Sequence, residues 1–171
     1  SKKDTTLAIQ YFQKATELDQ NYAEALDLMG VSLASKGDTL AQYYYKRLLE
    51  IQPNNADVWY KLGTHYMNID EINRAIEAYT KATTINPKHS DAYYNLGYIF
   101  TVMVPDYREA LTYYSKSLKA KPENNYKAHY GRGYAFEMLG DVINAEKEYR
   151  KTLALLPIHK PAKDGLDRIN R

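Results

Sequence analysis

Apolar residues recur at steps of three and four along nearly the whole chain, in helix-length runs that short polar turns separate. At about 100° per residue, such steps place the apolar side chains on one face of an α-helix. In segment 56–89, one run extends from Trp59 to Tyr66 and a second from Ile72 to Thr83, with a polar turn at residues 68–70. Because a connection this short favours antiparallel neighbours, the segment is predicted to form a helical hairpin.

Side-chain sizes within this hairpin support the prediction. The small residues are Gly63, Ala75 and Ala82, and the large ones are Trp59, Tyr66 and Tyr79. The small residues leave room for the partner backbone and for the large rings. Pro87 follows the second run. Since proline has no backbone donor, it ends the helix and resets the chain for another hairpin.

The arrangement occurs four times. In segment 56–89 the spacing is W-x2-L-G-x2-Y, then A-x3-Y-x2-A, then Pro, and matching frames occupy segments 23–55, 90–124 and 126–159. Each copy has a glycine at the same place in its first run, namely Gly30, Gly63, Gly97 and Gly133. A period of about 34 residues is typical of proteins built from stacked structural repeats.

This pattern resembles the tetratricopeptide repeat (TPR) family, and the resemblance covers nearly the entire chain. It implies an all-α fold, a right-handed superhelical solenoid of antiparallel helix pairs in which no repeat buries its apolar stripe alone. The chain, residues 1–171, is predicted to be a single domain of four full repeats with an N-terminal half repeat and a C-terminal capping helix. Members of the family bind peptides and protein segments in a concave groove.

The two ends of the chain differ from the repeats between them. Segment 5–21 repeats the steps of a second helix, with Ala8, Phe12 and Ala15. We interpret it as the second helix of a truncated repeat, which favours a fragment of a longer protein and allows self-association through the uncovered helix face; a dedicated N-terminal cap is the alternative. Segment 160–171 has one narrow apolar edge on a charged surface, which is typical of a capping helix.

The fourth repeat departs from the pattern inside its predicted core. His129 and Arg132 stand where the other copies have apolar residues. The apolar packing is therefore predicted to be weaker there than in the other three repeats.

In the TPR family a second face of each first helix looks into the groove, and the resemblance implies the same for this chain. Residues six and three before and one and four after each frame glycine lie about 130° from the packing face, so they cannot join the hairpin core. The expected peptide-binding residues on this face are Asp27, Asp57, Tyr60, Thr64, Met67, Asp91, Tyr94, Tyr98, Lys127, Tyr130, Tyr134 and Glu137, and Asn95, next to Tyr94, is expected to bind with them. The face also carries Glu24, Val31, Ala34 and Thr101.

Tyrosines dominate this face and suggest the kind of ligand. Tyr60, Tyr94 and Tyr130 form one column, and Tyr98 with Tyr134 forms part of a second. Tyrosine offers flat contact area and a hydroxyl at low entropic cost, which suits an extended peptide. Because acidic residues gather toward the first half of the face, the hypothesis is a segment with aromatic or aliphatic anchors and at least one basic group. For the first column, packing against the neighbouring repeat is the alternative.

One known ligand of the family can be tested directly. Co-chaperone members hold a C-terminal carboxylate with a lysine and an asparagine, a second asparagine, and a lysine and an arginine on three successive repeats. Here Asn95 and Lys127 match, whereas Tyr60, Thr64 and Gly131 occupy the other positions. A carboxylate would lack most of its charge-assisted donors, so binding of chaperone tails is not expected.

Composition and charge exclude several other functions. Of the 171 residues, 44% are hydrophobic and 26% charged, and no run approaches the roughly 20 apolar residues of a membrane-spanning helix. The net charge of +2 and a single basic residue on the groove face, Lys127, give no basis for nucleic-acid binding. The absence of cysteine excludes disulfides and cysteine-based zinc sites.

No catalytic chemistry is apparent in the sequence. The four histidines are scattered along the chain with no two at i, i+4, and there is no glycine-rich phosphate loop or nucleophile elbow. We therefore expect no catalytic residue, no metal and no cofactor, and we predict that the chain is not an enzyme. The predicted function is a protein–protein interaction scaffold that binds a peptide or protein segment. The alternative is a substrate-targeting or regulatory region of a larger enzyme or assembly.

Overall fold

A computed structural model describes residues 10–12, 14–15, 18–19 and 22–170. From residue 22 onward, the described chain contains nine α-helices and no strand. The helices are α1 (Ala23–Ala34), α2 (Ala41–Ile51), α3 (Ala56–Asn68), α4 (Ile72–Ile85), α5 (Ser90–Val102), α6 (Tyr107–Ala120), α7 (Tyr126–Met138), α8 (Val142–Leu155) and α9 (Lys160–Ile169).

The helices form two compact units, Ser1–Ile85 and Asn86–Arg171. In the first unit, α1 packs mainly on α2 and α3 on α4; in the second, α5 packs mainly on α6 and α7 on α8. Each pair lies within one repeat segment and is joined by a short turn, so its helices run antiparallel. Helix α9 packs its apolar edge, Leu166 and Ile169, onto the cluster around Tyr149 of α8.

The predicted half repeat at the N-terminus lies largely outside the described residues. Within segment 5–21, residues 10–12, 14–15 and 18 are helical, and Leu18 is 83% exposed. The proposed self-association through this segment rests mostly on residues that the structure does not describe, so it stays a prediction.

Polar side chains begin most of the described helices. An N-cap side chain accepts a hydrogen bond from the backbone N–H of the residue two or three positions further along the chain. This bond satisfies an N–H that the helix itself leaves unpaired. The caps are Asn55, His89, Asp106, Asn125, Asp141 and His159. Two of the four histidines therefore serve as helix caps through Nδ1. Burial lowers the pKa of His159, which favours the neutral ring that this role requires.

The turns inside the pairs explain where the repeat length varies. Gly37, Asp70 and Gly140 occupy the same place in three of these turns and have φ of 67°, 62° and 78°. Glycine and aspartate tolerate this left-handed conformation better than most residues. The turn between α5 and α6 is one residue longer than the two turns of the same type on either side of it, and its residues all keep negative φ. It is built from Met103, Val104, Pro105 and Asp106.

Four buried tyrosines form the centre of the helix pairs. They are Tyr45, Tyr79, Tyr114 and Tyr149, each at most 2% exposed. Each ring packs on the frame glycine of its own pair, where a Cβ atom would lie only 2.5–2.8 Å from a ring carbon. The prediction that Gly63 makes room for Tyr79 is confirmed. The glycine in each first helix is thus required by the tyrosine in the second, because any larger residue would overlap the ring.

The fourth pair has a charged cluster where the other pairs are apolar. Glu148 of α8 is 2% exposed, and its carboxylate accepts a 2.7 Å hydrogen bond from Nδ1 of His129. Nitrogens of Arg132 and Lys151 lie 3.8 and 3.3 Å from the same carboxylate. Burial alone raises the pKa of Glu148, but the His129 hydrogen bond and the neighbouring charges hold it below its ordinary value. The weaker apolar packing predicted here is therefore replaced by a buried ion cluster.

The first unit contains a buried histidine. His65 of α3 is 1% exposed, and neither ring nitrogen has a hydrogen-bond partner among the described residues. Burial lowers its pKa, against a smaller opposite effect of Glu71 and Asp38. The equivalent residues of α5 and α7, Ile99 and Ala135, are fully buried and aliphatic. His65 is thus a neutral ring in an apolar position.

Candidate functional site

The second unit contains a cavity of about 560 Å³ between α5, α6 and α7, which we call the tyrosine cavity. Its lining residues are Tyr94, Tyr98, Thr101, Val102, Pro105, Tyr107, Tyr114, Lys127, Tyr130, Gly131 and Tyr134. Six of these eleven residues are tyrosines. A concave, mainly aromatic wall with a few polar groups is the usual form of a binding pocket in proteins.

The cavity brings together most of the residues that the sequence assigned to a ligand in this unit. Those that line it are Tyr94, Tyr98, Lys127, Tyr130 and Tyr134, with Thr101 from the same helix face. Asp91 is exposed in the first turn of α5, and half-buried Asn95 is engaged with other residues; neither lines the cavity. The common periodicity of α5 and α7 explains the match, because equivalent residues of stacked helices face the same side.

Glu137, the last predicted residue of this unit, is committed to other side chains. Its carboxylate pairs with Arg168 of α9 at 2.7 Å and accepts a hydrogen bond from the Tyr149 hydroxyl. Burial raises the pKa of Glu137, but these two partners outweigh it and lower the pKa overall. The carboxylate therefore ties α7 to α8 and α9 and is not among the residues that line the cavity.

Two members of the first tyrosine column pack on the buried tyrosine of their own helix pair and also line the tyrosine cavity. The rings of Tyr94 and Tyr130 lie 5.8 and 5.9 Å from those of Tyr114 and Tyr149, centroid to centroid, in tilted geometry. The column therefore packs on the buried tyrosine of its own helix pair. Tyr94 and Tyr130 are nevertheless only half-buried, and both line the cavity. Burial raises the pKa of Tyr94, so its hydroxyl is a neutral donor at ordinary pH.

The hydroxyl groups of the cavity fall into two classes. That of Tyr114 is paired with Thr101 Oγ1 at 3.1 Å. Among the described residues, no hydrogen bond engages the hydroxyls of the five other lining tyrosines, Tyr94, Tyr98, Tyr107, Tyr130 and Tyr134. These groups are free to bond with water or with a ligand.

The longer turn of this unit supplies the part of the wall that the sequence did not predict. Val102 and Pro105 come from the end of α5 and the turn, and Tyr107 from the start of α6. The Tyr107 ring meets that of Tyr134 edge to face at 6.5 Å. The extra residue between α5 and α6 was visible in the sequence, but the direction in which it turns these side chains was not.

Lys127 is the one charged residue in the cavity lining. It belongs to the first turn of α7 and is exposed. No carboxylate of the described residues lies within ion-pair distance of its ammonium group. The cavity thus has one cation, several hydroxyls and no acidic group.

The first unit contains a smaller and more polar cavity, of about 410 Å³. Its lining includes two predicted residues, Asp27 and Asp57, with Glu24 and Lys61. Nζ of Lys61 lies 2.7 Å from both carboxylate oxygens of Asp27, so this acidic group is already partly neutralised.

The other predicted residues of the first unit have local partners. The Tyr60 ring lies 5.7 Å from that of Tyr79. Oγ1 of Thr64 accepts from the Tyr79 hydroxyl at 3.1 Å and donates to the Tyr60 carbonyl. Met67 is half-buried. None of the three lines the cavity around Asp27 and Asp57.

The described side chains contain no group of three or more histidines and carboxylates placed to hold a metal ion. None of the helices in the described part of the chain is long and apolar enough to cross a membrane.

Comparison with known proteins identifies the repeats. Four models of the tetratricopeptide repeat match the chain, at residues 1–22, 56–89, 78–111 and 106–157. Together they extend over more than half of its length. The chain belongs to the tetratricopeptide repeat family. The family that the spacing of Trp59, Gly63, Tyr66 and Pro87 predicts is thereby confirmed.

Solved TPR structures agree with the fold. The crystal structure of MamA is 30% identical, superposes with a TM-score of 0.82, and covers 90% of both chains. That of YrrB, described as a TPR protein with an unusual peptide-binding site, is 21% identical, with a TM-score of 0.80 over 96% of this chain and 84% of that one. The predicted all-α solenoid of paired helices is confirmed.

Among the curated relatives is heat shock protein STI1 of Saccharomyces cerevisiae, 29% identical over 117 residues. The match covers 68% of this chain and 20% of that protein. The chain spans between 10% and 20% of the length of the first curated relatives it matches. The family and its structural neighbours support a protein–protein interaction scaffold and do not favour a substrate-targeting region of a larger enzyme.

Proposed function

We propose that the second unit binds an extended protein segment in the tyrosine cavity. The observation that carries the proposal is the wall of six tyrosines that three helices bring to one concave surface. Aromatic rings give a large contact area with little loss of side-chain freedom, and their hydroxyls can bond to the main chain of a bound segment. An exposed aromatic wall of this kind is also where binding energy concentrates in protein interfaces.

Tyr98 and Tyr134 are the residues best suited to contact this segment. Tyr98 is 36% exposed, and no ring contact to another described aromatic residue holds it. Tyr134 contacts only the edge of Tyr107 among the described rings. Replacing both by alanine removes much of the aromatic wall while leaving Tyr114 and its glycine contacts in place.

A photo-crosslinking experiment tests the proposal. Benzoylphenylalanine at position 98 is expected to crosslink a partner protein in extracts, and Tyr134→Ala in the same chain is expected to reduce the yield about tenfold. The matched control carries the crosslinker at Tyr43, a 54% exposed tyrosine of α2 in the other unit. Capture of the same proteins with equal yield from positions 98 and 43 would contradict the proposal.

The first unit is proposed to contact a different part of the partner. Glu24 and Asp27 line the smaller cavity, and Lys61 pairs with Asp27, so the exposed carboxylate of Glu24 is the group proposed to contact a basic group of the partner. Glu24→Gln is expected to weaken partner binding about threefold in low salt and to have little effect in high salt. Equal binding by Glu24→Gln in low salt would remove this part of the proposal.

We also propose that the partner is not a nucleic acid. Single-strand binding by stacking requires a basic surface beside the aromatic rings, and Lys127 is the one cation in the lining of the tyrosine cavity. A filter-binding assay with single-stranded RNA over a salt titration is expected to show no saturable binding at physiological salt. Saturable binding that Tyr98→Ala abolishes would contradict this expectation.

A further inference from the structure

We propose that the segment bound in the tyrosine cavity carries an internal carboxylate, from aspartate or glutamate, beside a large apolar side chain. This inference rests on the proposed function, because it specifies the chemistry of the ligand in that same cavity. It differs from recognition of a chain terminus, for which the sequence lacks three of the five required donors.

The charge of the cavity is the first argument. Its lining contains one cation, Lys127, and no aspartate or glutamate. Glu137, the acidic residue that shares the predicted face of α7, is paired with Arg168 and cannot serve as the counter-ion of Lys127. Complementary charge must therefore come from the ligand if this ammonium group is to be paired in the complex.

The hydrogen-bonding groups give the second argument. A lysine ammonium has three donors and no acceptor, and each tyrosine contributes an O–H donor. Five lining tyrosines have hydroxyls that no described residue engages. The ammonium can only donate and the hydroxyls can donate or accept, so a ligand with acceptors satisfies both, and a carboxylate has two oxygens with several acceptor sites.

The apolar wall gives the third argument. Val102 and Pro105 line the cavity, and Met103 and Val104, next to them in the chain, are 41% and 45% exposed. Val102 and Pro105 share the lining with the tyrosine rings and offer contact to an aliphatic or aromatic side chain. The carboxylate and the apolar side chain must be close in the ligand sequence, since one cavity of about 560 Å³ receives both.

Selection from a displayed library of random twelve-residue peptides tests the inference, because display within a carrier protein leaves no free C-terminal carboxylate at the peptide. On the wild-type chain we expect enrichment of aromatic or large aliphatic residues with aspartate or glutamate nearby. On Lys127→Gln the apolar preference should persist without the acidic one, and on Lys127→Glu lysine or arginine should replace the acid. Lys163→Gln, an exposed lysine of α9, makes the same charge change away from the cavity and should select like wild type.

The affinity of one selected peptide, amidated at its C-terminus, is then measured for the wild-type chain and for Lys127→Gln, with and without the acidic residue of the peptide. Replacing its acidic residue by the corresponding amide should weaken binding to the wild-type chain about threefold to fivefold, the size expected of an exposed ion pair, and less in high salt. The same replacement should change nothing on Lys127→Gln. Equal affinity of the acidic and amide peptides for the wild-type chain, or an equal loss on Lys127→Gln, would overturn the inference.

The outcomes separate this inference from the proposed function. If selected peptides lose binding on the double variant Tyr98→Ala, Tyr134→Ala but show no acidic preference, the cavity binds peptides and only the inference is wrong. If the peptides bind that double variant as tightly as wild type, or if the wild-type chain enriches no peptide, the proposed function fails and the inference with it.

Discussion

Gly131 of α7 lies directly against the ring of Tyr114 of α6, so that a Cβ atom at position 131 would overlap the ring. Both residues line the tyrosine cavity. The same Tyr114 ring also packs on Gly97 of its own pair. Two glycines on two helices thus hold one tyrosine between them, and the spacing of the third and fourth repeats depends on both.

Replacing Gly131 by alanine is expected to destabilise the protein. Alanine favours a helix over glycine by about 1 kcal/mol, but the overlap with Tyr114 forces the helices apart. We expect a net loss of about 1–3 kcal/mol in the free energy of unfolding, measured by urea denaturation. Ser115→Ala, at an exposed position of α6, is the control and should have no destabilising effect. Unchanged or higher stability of Gly131→Ala would show that the helices do not meet at this glycine.

Two neighbouring tyrosines of α5 are expected to differ in their effect on stability. Tyr94 is half-buried and packs on Tyr114, whereas Tyr98 is 36% exposed. Tyr94→Ala should therefore lower the free energy of unfolding by about 2 kcal/mol, and Tyr98→Ala by less than about 1 kcal/mol. Thermal and urea denaturation of both variants measure the difference. A large loss for Tyr98→Ala would mean that this residue supports the fold and is unsuitable as a binding probe.

The buried Glu148 cluster predicts a loss of stability in acid. The pKa of Glu148 is lower in the folded than in the unfolded chain, so its contribution is present above the unfolded pKa and is lost as pH falls through the folded pKa. Glu148→Gln should cost about 2 kcal/mol at pH 7, because it leaves His129 and Arg132 without their carboxylate. The difference from wild type should shrink in acid, as pH falls through the lowered pKa of Glu148 and the wild-type carboxylate is itself protonated.

A second variant separates the ion cluster from simple packing. Repeats two and three have Leu62 and Leu96 where the fourth has Arg132. Combining Arg132→Leu with His129→Tyr and Glu148→Ala restores an apolar interior and should be neutral or stabilising at pH 7. If this triple variant is destabilised as much as Glu148→Gln, the effect of Glu148→Gln does not arise from unpaired charge.

His65 is expected to make the stability of the first unit depend on pH at higher pH values than those at which Glu148 acts. The pKa of His65 is lower in the folded than in the unfolded chain, so protonation of this ring favours unfolding. The free energy of unfolding is therefore unaffected by this group above its unfolded pKa of about 6.5, and it decreases as pH falls from there toward the folded pKa. His65→Ile, which introduces the residue found at the equivalent position 99, should add about 1 kcal/mol at pH 7 and reduce the loss between pH 7 and 5. Urea denaturation at several pH values tests this.

The control for His65 changes the equivalent position of α5, which carries no titratable group. Ile99→Val should lower the free energy of unfolding by about 1 kcal/mol and leave the pH dependence of wild type in this range unchanged. An identical pH profile for wild type and His65→Ile would show that His65 is not the group responsible.

The sequence by itself determined the helix pairs, their register and the tyrosine columns. Each of these depends on spacing within one segment of about 34 residues: apolar steps define the helix face, and the match of Gly63 with Tyr79 or of Gly97 with Tyr114 fixes the packing inside a pair. Because the repeats share one frame, the same periodicity also placed Tyr94, Tyr98, Tyr130 and Tyr134 on one face.

Only the tertiary structure decided which of those side chains are available to a ligand. Arg168 of the capping helix reaches Glu137 across 31 residues, and Lys61 of the second repeat reaches Asp27 across 34, so two predicted ligand groups have partners outside their own repeat. Tyr107 enters the cavity through the path of the turn before it. Helical periodicity gives the direction of a side chain from its own axis, but contacts between repeats depend on how the helices stack and where each turn leads, which no local spacing specifies.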